Sequence, residues 1–151
     1  LKLFMLEFFF IASTFWVGPF WFAMLLNPKA EKTKKLLDNS LFFLGPIIIW
    51  LITMLLSPSN LAEFTNSFSS EDGFLIGLAN TLNTKVGITA TWAHMVAGDI
   101  FATRWIWQKC LQYKINPFAR TLAIFFGVML MPIGILIYLI FSPKKKQNEN
   151  V

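Results

Sequence analysis

The sequence predicts an all-α polytopic membrane protein: a four-transmembrane-helix bundle with a short amphipathic helix in its second loop. Three observations predict it. Hydrophobic residues make up 56 % of the chain and charged residues only 14 %, where a soluble domain carries about 25 % charged residues. The mean hydropathy is +0.59. Four apolar runs, each close to the roughly 20 residues a helix needs to cross the hydrocarbon core, alternate with polar loops. A length of 151 residues leaves room for one domain. We read a single four-helix transmembrane domain over 1–142 and a disordered basic and polar tail over 143–151.

The first run, Leu3 to Leu26, carries Glu7 near its start and Gly18-Pro19 in its second half. It shows no small-x-small exit and continues to full membrane length, so no cleavable signal is legible. Opening on Leu1 rather than Met fits a chain lacking an N-terminal piece. Asn27 to Ser40 is a polar turn with Lys29, Lys32, Lys34 and Lys35. Its lysines suit a topogenic loop or contact with anionic membrane lipid. Leu41 to Leu56 is the second run, interrupted by Gly45-Pro46.

Ser57 to Thr84 is the longest loop, with Glu63, Glu71 and Asp72. Leu61, Phe64 and Phe68 recur at three and four, the spacing of an amphipathic surface helix. Phe74 to Leu82 has the length of another. Val86 to Trp107 is the third span. Gln108 to Ala119 is a short loop, and Thr121 to Phe141 is the fourth span, with Pro132-Ile133-Gly134 near its middle.

Four spans put both termini on one side of the membrane. Loops one and three then collect eight basic residues, and the opposite side five, three of them in the tail. The bias puts the two loops on the cytoplasmic or stromal side. The tail lysines pull the other way. The pI near 9.5 comes from lysines flanking membrane segments, so no nucleic-acid partner is expected. No phosphate loop or nucleotide fingerprint is present. Cys110 is the only cysteine, and no metal-ligand cluster is visible.

The third span holds the chemistry. It contains the only histidine, His94, then Asp99 and Arg104. Ionisable groups at membrane depth are costly and need a partner or a purpose. His94 and Asp99 flank the midpoint near Val96, and Arg104 lies about 12 Å from it by helical rise. The three do not form one stripe: each is roughly 140° round from the last. His94 shares its face with Thr91, Gly98, Phe101 and Trp105; Asp99 shares its own with Trp92, Met95 and Thr103. The helix is therefore expected to be buried on more than one side. Depth matches Glu7 with His94 or Lys85, and Asp99 with Arg104. A histidine in a bundle can simply hydrogen-bond to another helix. It can also ligate a chlorophyll or a haem, with one axial ligand per chain.

The same residues carry a resemblance. Trp92-x-His94, then Asp99-Ile-Phe-Ala-x-Arg104, resembles the signature of the plant abscisic-acid-deficient-four-like family, required for neoxanthin synthesis. Two further blocks are similar: Pro19-Phe20 with Pro28-Lys29-Ala30-Glu31-x-Thr33-Lys34 and Ser40, and Pro132-Ile133-Gly134-Ile135-Leu136. The resemblance implies a multi-pass protein of a plastid envelope, thylakoid or bacterial membrane. It implies work on xanthophylls, opening the violaxanthin epoxide to the neoxanthin allene.

That isomerisation needs an acid at the epoxide oxygen and a base at a vinylic proton, and no redox cofactor. His94, Asp99 and Glu7 are the candidate catalytic groups. Trp92, Phe101, Arg104 and Trp105 are the candidate substrate contacts. The expected partners are membrane lipid and a carotenoid. The alternative is a non-catalytic subunit that binds carotenoid, or chlorophyll through His94, in a pigment–protein complex.

Overall fold

The computed structural model describes residues 2–66 and 73–143, all helical in their regular elements. Most of the expected tail and Phe68 lie outside the described residues. α1 (Lys2–Trp16) and α2 (Gly18–Leu26) form one nearly continuous path, broken at Val17. The break has a local cause: Pro19 has no N–H to give the carbonyl four residues back. α3 (Glu31–Asp38) and α4 (Leu41–Leu55) form a second path. α5 (Pro58–Asn66) and α6 (Phe74–Leu82) are the short helices of the long loop. α7 (Lys85–Gln112) is the longest helix at 28 residues, about 42 Å. α8 (Pro117–Met129) and α9 (Met131–Phe141) follow.

Contacts along α7 order the other helices by depth. Trp92 Nε1 donates to Thr14 Oγ1 at 2.8 Å, and Trp107 Nε1 donates to the Pro28 carbonyl at 2.9 Å. The first path therefore runs parallel to α7. Arg104 Nε donates to the Leu37 carbonyl at 2.7 Å, while Trp50 lies by His94 with ring centroids 6.2 Å apart. The second path therefore runs antiparallel to α7. Ala90, Ala93 and Ala97 are buried, and α4 packs closely on α7. Trp16 locks the first two paths together: its Nε1 donates to the Leu41 carbonyl at 2.7 Å, and its ring covers Gly45.

Two helical stretches, Leu3–Leu26 and Glu31–Leu55, are long and apolar enough to cross a membrane. α7 is long enough but less apolar. That is the composition of a helix shielded by its neighbours, and twelve of its residues are buried. Large apolar side chains are exposed on the outer faces, among them Phe4, Phe15, Leu26, Leu55, Phe118 and Ile140.

The last apolar run departs from the expected single span. α9 turns at Leu130 and packs back along α8. Gly134 abuts the backbone of Gly127 and Ala123, and Tyr138 shares a buried cluster with Ala119, Ala123 and Cys110. In one straight helix Ala119 and Tyr138 would stand about 28 Å apart. Thr121 to Phe141 is therefore part of an antiparallel hairpin, with arms of 13 and 11 residues, about 20 and 16 Å long. Each arm is too short for a hydrocarbon core of about 30 Å. Gly134 makes the close fold-back possible by placing no Cβ against α8, and Gly127 likewise places none against Thr103 of α7. The end of α9 at Phe141 accordingly returns to the lysine-rich end of α7, opposite the start of α1 at Lys2. The expectation that both ends share a side is corrected by this hairpin for the start of α1 and the end of α9.

Candidate functional site

The hairpin reaches only part of the way along α7. Gly127 lies against Thr103, so the tip at Leu130 comes level with about Asp99 by helical rise. Beyond the tip one flank of α7 is open. His94, Met95 and Gly98 are exposed, and Phe101 and Trp105 continue the exposed line beside the hairpin. A Cβ at Gly98 would meet nothing within 4 Å.

The face expected for His94, with Thr91, Gly98, Phe101 and Trp105, is thus a single open flank. His94 also borders a groove of about 250 Å³ with Trp50, Met54, Thr91 and residues of α5 and α6. α7 is buried on more than one side, by α1, α4 and the α8–α9 hairpin, as expected, while His94 itself is exposed. The small residues of α7 are spent on the α4 contact, and His94 stands at the edge of that contact beside Trp50, where the half-length hairpin leaves α7 uncovered.

The predicted catalytic groups are not brought together. Glu7 is exposed and lines a separate groove with Leu3, Phe10, Lys85 and Ile88. It therefore faces Lys85 rather than His94. Asp99 is half-buried on the flank of Trp92 and Thr103, the sides facing α1 and α8. It stands about 7.5 Å along the axis and 140° round from His94. The only ion pair among the described residues is Lys34–Glu31 at 3.4 Å, so Asp99 and Arg104 are not directly paired. Arg104 reaches α3 instead, where it bonds the Leu37 carbonyl. Its guanidinium lies 5.2 Å from the Phe42 ring centre.

The predicted substrate contacts divide likewise. Trp92 is turned into the α1 interface, stacked on Phe10 at 5.1 Å besides its bond to Thr14. Trp92 and Arg104 therefore position helices. Phe101 stacks on Phe42 at 6.3 Å and meets Phe43 edge-on at 5.6 Å. Trp105 meets Tyr138 edge-on at 5.1 Å. These two rings are braced from behind and present a face outward.

Trp50 was not among the sequence candidates. Its place beside His94 follows from the antiparallel pairing of α4 and α7, for which an aromatic inside an apolar run gives no signal by itself. What the flank offers is a long apolar, aromatic track with one imidazole, which has one donor and one acceptor nitrogen when neutral.

The family profile described as ABA4-like, ABA DEFICIENT 4-like, matches residues 8–138. A curated relative, Protein ABA DEFICIENT 4, chloroplastic, of Arabidopsis thaliana, is 28 % identical over 110 residues. The match covers 71 % of this chain and 49 % of the relative, so the chain spans about half of that protein's length. No solved structure matches the chain.

Proposed function

The chain belongs to the ABA DEFICIENT 4-like family, and from that premise we propose an integral membrane protein of xanthophyll metabolism that holds a carotenoid along the open flank of α7. Three paths cross the bilayer: α1–α2, α3–α4 and α7. The α8–α9 hairpin enters from the lysine-rich side and returns to it. Re-entrant segments are tolerated where protein buries their backbone ends. The exposed apolar side chains support this reading, since soluble proteins rarely expose large contiguous apolar surface. So does charge. Eight of the ten basic residues among the described residues fall on one side, and Lys2 and Lys85 on the other. That side is cytoplasmic or stromal by the positive-inside rule. The relative's chloroplastic name favours a plastid membrane, or a bacterial one in an organism without plastids.

The observation that carries the ligand reading is the flank itself. From Thr91 to Trp105 it is about 21 Å long, about two thirds of the roughly 30 Å hydrocarbon core. Phe101 and Trp105 offer rings to the polyene, Gly98 leaves room for it, and His94 meets an end group. In the proposed reaction an imidazolium at His94 gives its proton to the epoxide oxygen as the C–O bond breaks. The neutral ring then takes the vinylic proton as the allene forms. The imidazolium is restored, and the net change is an isomerisation with no electron acceptor. The purified chain should convert violaxanthin to neoxanthin, and His94→Gln should keep bound pigment and lose conversion. Undiminished conversion by the variant would refute the proton role.

One observation favours a second reading, a carotenoid-binding subunit without catalysis. Glu7 and Asp99 stand away from His94, which has no carboxylate to orient it among the described residues. In that case neither protein converts the pigment and both retain it. Ligation of a chlorin or haem by His94 would appear instead as an absorbance band lost in His94→Gln.

A further inference from the structure

Arg120 lies in the first turns of α8, is 9 % exposed, and has a buried Nε with no hydrogen-bond partner among the described residues. A buried cation left unpaired costs several kcal/mol. Arg120 lines a pocket of about 470 Å³ whose other walls include Lys29, Lys34 and Lys114. Four cations converge there, and no acid lines the pocket. Glu31 is close by but is paired with Lys34. The remaining walls, among them Cys110 and Ile115, are apolar.

We propose that this pocket binds the phosphate of an anionic phospholipid, with Arg120 as its innermost donor. The site is built rather than incidental. The Lys29 loop is held by Trp107 Nε1 on the Pro28 carbonyl at 2.9 Å and by Thr33 Oγ1 on the Asn27 carbonyl at 2.8 Å. Lys114 has φ 51°, a left-handed position after a helix that glycine usually fills. The Ile115 N–H closes that turn on the Cys110 carbonyl at 3.0 Å. The strained conformation carries the Lys114 side chain to the pocket rim. A planar guanidinium at the back and ammonium groups at the rim match a phosphodiester, which takes bidentate bonds from arginine and point charge from lysine. The pocket lies where the basic loops meet the apolar body, at headgroup depth. The lipid source rests on the membrane reading; the phosphate chemistry does not.

The full chain is reconstituted in nanodiscs of phosphatidylcholine, with or without phosphatidylglycerol. Thermal midpoint and co-purified lipid are then read out. The wild type is expected to melt higher with phosphatidylglycerol and to carry one such lipid per chain. Lys29 and Lys114 are exposed, so the double variant Lys29→Gln/Lys114→Gln should fold normally in phosphatidylcholine. It should hold the anionic lipid at least about tenfold more weakly, the value of one charge-assisted hydrogen bond. Arg120→Leu is expected to melt no lower than the wild type in phosphatidylcholine and to lose the phosphatidylglycerol response. A wild-type midpoint indifferent to phosphatidylglycerol would overturn the site. An equal rise with inorganic phosphate in phosphatidylcholine discs would overturn the lipid and leave a free-anion site. Pigment conversion and lipid retention are separate readouts, so either proposal can fail while the other stands.

Discussion

Gly134 of α9 rests on the backbone of Gly127 in α8, and through this contact the last apolar run becomes a hairpin instead of a span. A side chain at Gly134 would run into backbone atoms of Gly127 and Ala123, which have no rotamer by which to yield. Gly134→Leu is expected to lower stability by about 1–3 kcal/mol, the range for overpacking a filled interface. A thermal midpoint in detergent equal to that of the wild type would mean the two arms are not in contact.

The hairpin also decides where the chain ends. Cysteines placed at Leu3 and Ser142 should react with a membrane-impermeant maleimide from opposite faces of the membrane. Labelling of both from one face would restore the fourth span.

That experiment has a silent background. Cys110 is fully buried, so a reagent in water does not reach its thiol while the chain is folded. The native protein should resist alkylation at Cys110, and the denatured chain should label within minutes. Rapid native labelling would show that the pocket beside Cys110 opens.

Much of this was legible in the sequence. Apolar length and polar loops gave the helices, and the 100° spacing gave the flank of His94, Gly98, Phe101 and Trp105 correctly. The hairpin was not legible. Pro132 and Gly134 read equally well as a kink within a span, and only the pairing of Gly134 with Gly127 decides for a turn. Helical spacing also separated His94 from Asp99, but depth alone suggested a Glu7 partner for His94. Depth says nothing about which side of α7 the first helix takes. Trp92 fixes that side by bonding Thr14, and so carries Glu7 away from the histidine.

Arg104 is tied to the Leu37 carbonyl and the Phe42 ring rather than to Asp99. Arg104→Leu should therefore cost about 1.5–3 kcal/mol, the range for a hydrogen bond from a charged group. Arg104→Lys should recover little of it, since lysine lacks the planar fork. Asp99→Asn and Arg104→Leu should combine additively to within about 0.5 kcal/mol. A larger coupling in a double-mutant cycle would show that the two charges do interact.

The central claim is that the bare flank beside His94 holds a xanthophyll, and Gly98 tests it most directly. Nothing lies within 4 Å of a Cβ built there, so Gly98→Leu adds bulk to open space and leaves His94 and the packing of α7 untouched. The measurement is the violaxanthin retained by purified wild type and Gly98→Leu after reconstitution with the pigment, beside the thermal midpoint of each. The account predicts an unchanged midpoint and a loss of bound pigment of about tenfold or more, since a leucine fills the place of the polyene. Equal retention by the two proteins would contradict it and move the carotenoid, if any is bound, off this face of α7.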